Sequence, residues 1–355
     1  MLTIRELAKK CGYSATTVSV VLNNRPLAKY IPAETKSRIR QIADEMKYRP
    51  NIFAQSLRAN RSYTVGVMVF DITDPYCTYT LRGIENVLNA ESIAYLLFDA
   101  QNKRERFHRN LEIMLQRRVD GLILVANSVQ TDPAVLESLH IPRVPVVVIG
   151  REMEGLEFAS TVIVNNQRGG YMAVEHLYRL GHRNIAFIRG PKTIADSILR
   201  WEGIMKFARE VSLKIPREAL LDLTQVPTTS AEGLEAVKSL VARGRRRFTA
   251  ALAFDDMTAL GVIRGLTESG LEVPRDCSVI GFDDIDAAGY YNPPLTTIRQ
   301  PMLSMGEEAA SALLDRVNSR NSKRAHVVHS VLEPELVVRK SSQPPSKSKR
   351  RSSRP

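Results

Sequence analysis

The chain has 355 residues, a hydrophobic content of 44% and a formal net charge of +12 at pH 7. It is longer than one typical domain, and its apolar fraction is ample for a buried core. The three cysteines, Cys11, Cys77 and Cys277, are far apart and form no metal-ligand spacing, so neither a metal nor a cofactor is expected. They fit a reducing cytoplasm. No signal peptide precedes Thr3 and no apolar run approaches membrane-spanning length, which argues against a secreted or membrane protein.

The positive charge lies at the two ends of the chain. Residues 1–62 hold twelve Lys/Arg against four Asp/Glu, and residues 339–355 hold seven against none. Residues 63–338 carry 31 basic and 34 acidic residues and are therefore nearly neutral. This distribution indicates a head that faces phosphates on a near-neutral body. The last segment, rich in Pro, Ser, Lys and Arg from Ser341, is predicted to be disordered and able to add salt-sensitive, nonspecific affinity for DNA.

The first predicted elements are two short helices joined by a turn of about four residues. Thr3 begins a capping box for a helix from Ile4 to Lys10, and Gly12 ends it. Ser14 can cap a second helix from Ala15 to Leu22. This is the helix-turn-helix arrangement, whose second helix enters a major groove of DNA.

Apolar residues at helical spacing on both helices can pack against a third helix, predicted from Ala33 to Met46. The short side chains left outward on the second helix would let its backbone approach bases and phosphates. They are Ala15, Thr16, Thr17, Ser19 and Val20. An ordinary three-helix bundle with a polar face is the alternative interpretation.

Residues 49–62, RPNIFAQSLRANRS, predict a short helix capped by Asn51 that runs to about Leu57 or Arg58. So short a helix is marginal alone in water because nucleation is costly. It would present small and polar contacts, an apolar wedge and a cation to a narrow minor groove: Ala54, Gln55, Leu57 and Arg58. A flexible linker is the alternative.

From Tyr63 onward, short apolar runs alternate with helical segments. The runs predicted as buried parallel strands are residues 64–70, 94–99, 121–126, 144–150, 160–166, 184–190, 249–255 and 277–284. The predicted helices are residues 81–89, 104–116, about 135–139, 167–180, 198–211, 231–242 and 256–269. The alternation restarts after 160–166, which predicts two similar α/β subdomains with parallel sheets that face one cleft. In open α/β sheets the ligand lies beyond the carboxyl ends of the strands.

Polar side chains collect at those predicted strand ends. Asp74 and Tyr76 follow the first strand, Asp255 and Asp283 follow later strands, and Arg200 lies in the first turn of a helix. An arginine can fork two hydrogen bonds to vicinal hydroxyls or a carboxylate. Singly, each residue is better explained as a cap or a surface ion pair. Jointly they favour a cleft for a neutral, hydroxyl-rich ligand or a cationic one.

The order of these motifs resembles the lactose/purine repressor family of bacterial transcriptional regulators. The resemblance covers residues 2 to about 338 and rests on the helix-turn-helix, Tyr48-x-Pro-Asn51 followed by AQSL, LGHRNIAFIRGP (180–191), SVIGFDD (278–284) and PPLTTIRQP (293–301). It implies a helix-turn-helix head at 1–48, a hinge helix or linker at 49–62, and an effector and dimerisation domain at 63–338 that is similar to periplasmic sugar-binding proteins. Beyond the resemblance, the composition of residues 339–355 predicts a disordered basic tail.

The resemblance also implies residue roles. Ala15, Thr16 and Val20 match base-reading positions, with Val20 suited to a thymine methyl. Leu57 matches the leucine that opens the central base step of the operator. Arg200 and Asp283 match the effector-contacting arginine and aspartate, and Tyr76 lies where relatives place an aromatic or polar contact. The positions that match phosphate contacts are Ser14, Thr17, Ser19, Asn23 and Thr35, and Thr3 and Tyr48 complete the predicted DNA-binding set.

Three departures from the family bear on the effector. Relatives commonly have Asn where Asp255 stands, Asp where Gly150 stands and, in the purine branch, a stacking Phe where Cys77 stands. A purine is therefore not indicated, and a sugar-like effector is expected. The family further implies a cytoplasmic homodimer that binds a palindromic operator in double-stranded DNA and has no membrane partner.

Two other classes of protein would share parts of this pattern. A periplasmic-type solute receptor would need a signal peptide in place of the helix-turn-helix. An α/β enzyme with a DNA-binding head would consume its ligand, which an assay of ligand turnover can detect. No Gly-rich phosphate loop, GxSxG elbow or HExxH motif is present, and His182 is expected to make a structural hydrogen bond. Catalysis is therefore not expected.

Overall fold

The structure, a computed structural model, describes residues 2–23, 26–49, 61–126, 144–152, 158–243, 248–319 and 326–346. The chain divides into two compact units, Met1–Ser62 and Tyr63–Pro355, at the residue where the predicted linker ends. The predicted hinge positions Asn51, Ala54, Gln55, Leu57 and Arg58 lie outside the described residues, as does the helix predicted near 135–139.

In the part that the structure describes, the first unit contains three α-helices and one 3-10 helix. They are α1 (Ile4–Cys11), α2 (Ala15–Leu22), the 3-10 helix Pro26–Tyr30 and α3 (Ala33–Glu45). All three predicted α-helices are confirmed to within one residue. The Glu6 amide donates to the Thr3 hydroxyl (3.3 Å) and the Thr3 amide donates to the Glu6 carboxylate (2.7 Å), which is the predicted capping box. Gly12 ends α1 in the left-handed conformation (φ 75°).

One small core holds these helices together. Leu7 of α1, Val18 and Val21 of α2, and Ile39 of α3 are fully buried against one another. These side chains belong to the apolar faces that helical periodicity predicts. The amide of Thr17 donates to the Ser14 hydroxyl (3.0 Å), so the predicted cap of α2 is also present.

The second unit contains two lobes, each built on a six-stranded sheet. The N-lobe sheet has the order β11-β5-β4-β3-β1-β2, and all its pairings are parallel. Its strands are β1 (Thr64–Val69), β2 (Ala94–Asp99), β3 (Gly121–Val125), β4 (Val146–Ile149), β5 (Ala159–Val164) and β11 (His329–Leu332), and its helices are α4 (Pro75–Ala90), α5 (Arg104–Gln116) and α11 (Met302–Asn318).

The C-lobe sheet has the order β12-β10-β9-β8-β6-β7, with only β12 antiparallel to its neighbour. Its strands are β6 (Ile185–Arg189), β7 (Leu220–Asp222), β8 (Ala250–Ala253), β9 (Ser278–Asp283), β10 (Thr296–Arg299) and β12 (Glu335–Val337). Its helices are α6 (Asn166–Arg179), α7 (Ala195–Glu210), α8 (Ser230–Ala242), α9 (Asp256–Glu268) and α10 (Asp286–Tyr290). The predicted pair of parallel-sheet subdomains is confirmed.

The chain passes between the lobes three times. It leaves the N-lobe after β5, returns after β10 to form α11 and β11, and crosses again to end the C-lobe sheet with β12. The strand β7 and the elements after β9, namely α10, β10, α11, β11 and β12, were not predicted from the sequence. The predicted start of α4 is six residues late, because Asp74 caps this helix and Pro75 occupies its first turn.

The prediction of a disordered tail from residue 339 is wrong for residues 339–346. Ser341 is fully buried; its hydroxyl donates to the Val279 carbonyl (2.6 Å) and its own carbonyl accepts from the Val279 amide (2.8 Å). These bonds attach the segment beside β9, which gives its polar backbone groups partners that composition alone could not reveal. Within the part of the chain that the structure describes, no helix is long and apolar enough to span a membrane.

A glycine of α7 allows the backbones of helices α6 and α7 to approach each other closely. A methyl group on Gly203 would overlap the backbone carbonyl of Gln167, which cannot move as a side-chain end could. We expect Gly203→Ala to destabilise the protein by about 1 to 3 kcal/mol and to lower its midpoint of thermal unfolding by several degrees. Gly289→Ala in α10 is the matched control, because nothing lies within 4 Å of the added methyl. Equal midpoints for the two variants would contradict this close approach.

Candidate functional site

The first turn of α2 is the part of the helix-turn-helix that is open to a partner. Thr16 and Ser14 are exposed, and Ala15 and Thr17 are half-buried. Exposed basic side chains, among them Arg5, Lys9, Lys10, Lys29, Arg38 and Arg40, surround the same small domain. A helix N-terminus adds partial positive charge and free amides, so this surface suits a phosphate backbone with base edges behind it.

Two predicted contact residues of α2 lie elsewhere than expected. Ser19 and Val20 are each only 6% exposed, so their placement on the outward face is wrong. α2 contacts α1, α3 and the 3-10 helix, and an eight-residue helix with three neighbours keeps little free surface beyond its first turn. Ser19 accepts from the Asn23 side chain at both its hydroxyl (3.2 Å) and its carbonyl (2.8 Å), which closes the end of the helix.

Of the remaining predicted DNA contacts, Thr3 is exposed and Thr35 is half-buried. Tyr48 is half-buried because its ring packs against the core of the head. Its amide donates to the Ala43 carbonyl (2.8 Å) beyond the end of α3.

The five predicted effector residues meet in one electrostatic neighbourhood of the second unit. Asp74 and Tyr76 belong to the N-lobe, at the start of α4, whereas Arg200, Asp255 and Asp283 belong to the C-lobe. Burial raises the pKa of Asp74 to about 7, and the Asp255 charge adds to this shift while Arg200 opposes it. Charges on C-lobe residues therefore influence the pKa of an N-lobe carboxyl group, which is consistent with the predicted cleft between the lobes.

Arg200 is buried and held by three segments of the C-lobe. Its Nε donates to the Asn166 side chain (2.9 Å), and its Nη1 donates to the Phe254 carbonyl (2.7 Å). The guanidinium carbon lies 3.6 Å from the centre of the Phe282 ring, a cation–π contact. Its Nη2 is 3.7 Å from Asp283, an ion pair longer than a hydrogen bond. The guanidinium is therefore fixed in place, and its Nη2 lies beyond hydrogen-bonding distance of Asp283.

Asp283 ends β9 in an unusual backbone conformation. Its φ is +116° and that of Asp284 is +60°, values that a residue with a side chain adopts only when its surroundings impose them. The side chain accepts from the Gln300 amide nitrogen (2.6 Å). Burial raises the pKa of Asp283 well above its ordinary value, although Arg200 opposes the shift.

The two adjacent aspartates after β8 have different surroundings. Asp255 caps α9 by accepting from the Thr258 amide (2.7 Å), and its other oxygen accepts from the Thr228 hydroxyl. Asp256 is fully buried and accepts from the Thr297 hydroxyl (2.6 Å) and the Ile285 amide (2.9 Å). Both oxygens of Asp256 hold strand and loop together, so it is a structural residue and not a ligand contact.

Tyr76 explains one departure of the sequence from the family. Its hydroxyl lies 3.1 Å from the position that a Cβ would occupy on Gly150, a residue with φ +95°. A side chain at position 150 would therefore meet both a strained backbone and the tyrosine. Tyr76 fills space that an aspartate would otherwise need.

Sequence reasoning missed three polar residues of this neighbourhood: Asn166, Asp196 and Gln300. Asn166 bridges Arg200 and Asp196, because its amide nitrogen donates to Asp196 at 3.0 Å. Asn166 closely follows β5, so the rule that ligands lie at strand ends could have found it. Gln300 comes after β10, a strand that was not predicted. Asp196 lies in the first turn of α7, where no motif distinguishes it.

His182 makes the structural hydrogen bonds that were expected of it. Its Nε2 donates to the Gln343 carbonyl (2.9 Å) and its Nδ1 accepts from the Thr249 hydroxyl (2.8 Å). Burial lowers its pKa, which keeps the ring neutral. Among the residues that the structure describes, no cluster of three His, Cys, Asp or Glu side chains is arranged to hold a metal ion.

Comparison with known proteins agrees with both units. Residues 3–51 match the model of bacterial regulatory proteins of the lacI family, and residues 174–342 match that of the periplasmic binding protein-like domain. The chain is 32% identical over 343 residues to the HTH-type transcriptional repressor PurR of Pasteurella multocida, across 96% of this chain and 98% of the relative. The chain belongs to the lacI family.

Solved structures of transcriptional regulators are similar to this chain in fold. The lac repressor dimer bound to operator and the anti-inducer ONPF has a TM-score of 0.81 at 26% identity, over 96% of this chain and 99% of that one. The regulator CelR in complex with cellobiose has a TM-score of 0.71 at 26% identity, over 96% and 100% of the two chains. This lacI-family chain is thus a DNA-binding transcriptional regulator whose affinity for DNA responds to a small-molecule effector, and its relatives are regulators, not enzymes.

The cleft predicts how stability depends on pH. In the folded protein the pKa of Asp74 is about 7 against an ordinary 3.8, so the folded state keeps a proton that the unfolded chain releases. The resulting stability is present at low pH and is lost as pH rises towards 7. Asp74→Asn keeps the helix cap without the charge. We expect its unfolding temperature to be closest to that of the wild type near pH 4 and to exceed it increasingly as the pH rises to about 7.

The control for this comparison is Asp315→Asn on the exposed face of α11, whose profile should follow the wild type. Thermal unfolding of the three proteins across this pH range measures the effect. Parallel profiles for the wild type and Asp74→Asn would contradict the burial of this carboxyl group.

Proposed function

We propose that the chain is a transcriptional repressor that acts as a cytoplasmic homodimer on a roughly palindromic operator and is regulated by a hydroxyl-rich effector, a sugar or sugar derivative. The observation that carries the proposal is the presence of both parts in one chain: a helix-turn-helix with an open first turn, and an inter-lobe cluster around Arg200. Neither a solute receptor nor an enzyme requires the first part.

On DNA, the first turn of α2 would enter the major groove. Thr16 is the exposed residue at a base-reading position, with Ala15 and Thr17 beside it. A dimer would place two such helices about one turn of the DNA double helix apart, which matches the two half-sites of a palindrome. Readout by Val20 would require this side chain to be uncovered on binding. From the sequence, Leu57 is proposed to wedge the minor groove between the two half-sites.

The effector would act by changing how the two lobes meet. Three chain crossings connect the lobes, and the Asp286 amide of the C-lobe donates to the Tyr79 hydroxyl of the N-lobe (3.0 Å). A ligand that contacts Asp74 on one lobe and Arg200 on the other favours one arrangement over another. A coupling of about 1 to 3 kcal/mol is typical of such regulation.

A sugar-like effector is favoured over a purine by the walls of the cleft. Position 77, where the purine branch has a stacking phenylalanine, holds a cysteine that is fully buried in the N-lobe core. It therefore offers no aromatic face for a base to stack on. Solved relatives contain cellobiose and, in a regulator from Enterococcus faecium, ribose. Buried carboxylates and amides are the groups that bind hydroxyls.

The decisive experiment is selection of bound sequences from random duplex DNA, with the full chain and with a fragment that lacks residues 1–62. Enrichment of a palindrome by the full chain alone is expected, since the helix-turn-helix lies in the removed unit. Equal enrichment by both proteins, or none by the full chain at moderate salt, would contradict the proposal.

Thr16 provides a sharper test of the recognition surface. Thr16→Ala is expected to weaken binding to the selected operator about tenfold, the equivalent of one lost base contact, and to leave binding to random DNA unchanged. Gln41→Ala, an exposed polar change on α3, is the matched control. Electrophoretic mobility shift titrations on both DNAs measure the affinities. Equal losses on both DNAs would refute base reading by Thr16.

A further inference from the structure

One tyrosine side chain contributes to the packing of both lobes. Tyr79 lies on α4, and its half-buried ring packs against the N-lobe core that includes Ile84 and Met305. The same ring packs against the C-lobe core that includes Ile285 and Ala288. Among the residues that the structure describes, no other apolar side chain packs against a core of each lobe. Tyr79 is therefore a point at which the two lobes are held together.

The hydroxyl group of Tyr79 adds a directional contact. It accepts a hydrogen bond from the amide of Asp286 (3.0 Å), the first residue of α10 in the C-lobe. The first amides of a helix have no carbonyl partner within the helix, so this amide takes its acceptor from another element. Because a hydrogen bond depends on distance and angle, it allows less sliding between the lobes than the apolar contact of the ring alone. We call the ring packing and this hydrogen bond together the Tyr79 contact.

On the N-lobe side, Tyr79 shares the start of α4 with two of the predicted effector residues. Asp74 caps this helix and Tyr76 lies in its first turn. Tyr76 and Tyr79 are three residues apart, so they are neighbours on one face of the helix. The turn is held together by bonds of its own, since Asp74 accepts from the Tyr76 amide (2.9 Å) and the Thr80 hydroxyl donates to the Tyr76 carbonyl (2.8 Å). A displacement of Asp74 or Tyr76 therefore also displaces Tyr79.

On the C-lobe side, the donor amide lies equally close in the chain to a third predicted effector residue. Asp286 follows Asp283, the last residue of β9, by three positions. The backbone between them is restrained, because Ile285 is buried and its amide donates to the fully buried Asp256 (2.9 Å). A displacement of Asp283 therefore reaches the donor of the Tyr79 contact through a short segment that has little freedom.

We infer that Tyr79 is the positioning residue through which a ligand in the cleft changes the arrangement of the two lobes. The inference rests on the proposed effector role of the cleft and names the contact by which that role is exerted. A ligand that displaces α4 at Asp74, or the end of β9 at Asp283, acts directly beside the Tyr79 contact. A ligand shifts such an equilibrium only by its difference in affinity between the two arrangements, and the Tyr79 contact sets the populations from which the shift starts.

Two substitutions separate the hydrogen bond from the ring. Tyr79→Phe removes only the hydrogen bond, and we expect the population with separated lobes to rise about fivefold. Tyr79→Ala also removes the half-buried ring, and we expect a rise of about fiftyfold. The matched controls are Tyr171→Phe and Tyr171→Ala. The Tyr171 hydroxyl donates to Glu210 (2.7 Å) and its ring packs against Phe207, with ring centres 5.1 Å apart, all within the C-lobe.

Energy transfer between two dyes measures the distance between the lobes in the full chain. The dyes are attached at Arg109→Cys on α5 and Arg209→Cys on α7, because both positions are exposed and lie on different lobes. All three native cysteines are buried, so the dyes react with the introduced thiols. Labelled protein is allowed to exchange with an excess of unlabelled protein, which restricts energy transfer to dye pairs within one chain.

A second population with a longer distance is expected in Tyr79→Ala, a smaller one in Tyr79→Phe, and neither in the two Tyr171 variants. Operator affinity separates a regulatory role from a purely structural one. We expect Tyr79→Phe to change affinity for the selected operator by about threefold or more while its thermal unfolding midpoint stays close to that of the wild type. This variant keeps the ring, so it carries the test even where the alanine variant is too unstable to purify. Wild-type distances in both Tyr79 variants, or wild-type operator affinity in both, would overturn the inference.

Failure of this inference can be told apart from failure of the proposed function. DNA selection with the wild-type chain tests the repressor separately, since it involves no variant of Tyr79. An enriched palindrome together with unchanged Tyr79 variants would leave the repressor standing and remove the role of Tyr79. Separated lobes in the Tyr79 variants without an enriched palindrome would support the contact and contradict the proposed function.

Discussion

The burial of one cation, the guanidinium of Arg200, organises the polar centre of the second unit. An unpaired charge in such a place would cost several kcal/mol, and the fold offsets this cost from several directions. The side chain of Asn166, the carbonyl of Phe254, the ring of Phe282 and the carboxylate of Asp283 all face it. These groups lie at or just after the carboxyl ends of β5, β8 and β9. The Arg200 side chain on α7 therefore contacts residues from the ends of three strands.

Two of the carboxylates around this cation make fewer hydrogen bonds within the protein than the neighbouring structural carboxylate does. Asp256 shows the contrast, because both of its oxygens accept hydrogen bonds from the protein while it bridges β10 and the loop after β9. Asp74 and Asp283 each keep an oxygen without a donor among the described residues, and burial raises the pKa of both. Functional sites commonly retain such unsatisfied groups, since the binding partner supplies what the fold omits.

The connectivity of the lobes makes this centre suitable for regulation. Asp74 and Arg200 lie on different lobes, yet the pKa of Asp74 responds to the Arg200 charge. The chain crosses between the lobes three times, and α11 belongs to the N-lobe although it follows strands of the C-lobe. A ligand at the proposed site between the lobes would act where small rearrangements change the contacts of both.

The sequence by itself determined the features that depend on neighbours along the chain. The Thr3 capping box, the Ser14 cap and the helical faces of Leu7, Val18 and Ile39 are local, so periodicity and capping chemistry located α1 to α3 within a residue. The same holds for the alternation of buried strands and helices that defines two parallel-sheet lobes. The strand-end rule also singled out Asp74, Asp255 and Asp283 as candidates, because parallel strands bring their carboxyl ends to one edge, whereas Arg200 lies on a helix and was singled out by the family resemblance.

Tertiary structure alone decided what depends on distant parts of the chain. Val20 is buried because three elements converge on a short helix, and Ser341 is ordered because β9 offers it partners far away in sequence. The same reason separates Asp255 from Asp256, adjacent residues whose roles are set by Thr228 and Thr297. Gln300 belongs to the site only because β10 joins β9 in the C-lobe sheet. Long-range pairing leaves no periodic signal in the sequence, so these assignments had to come from the fold.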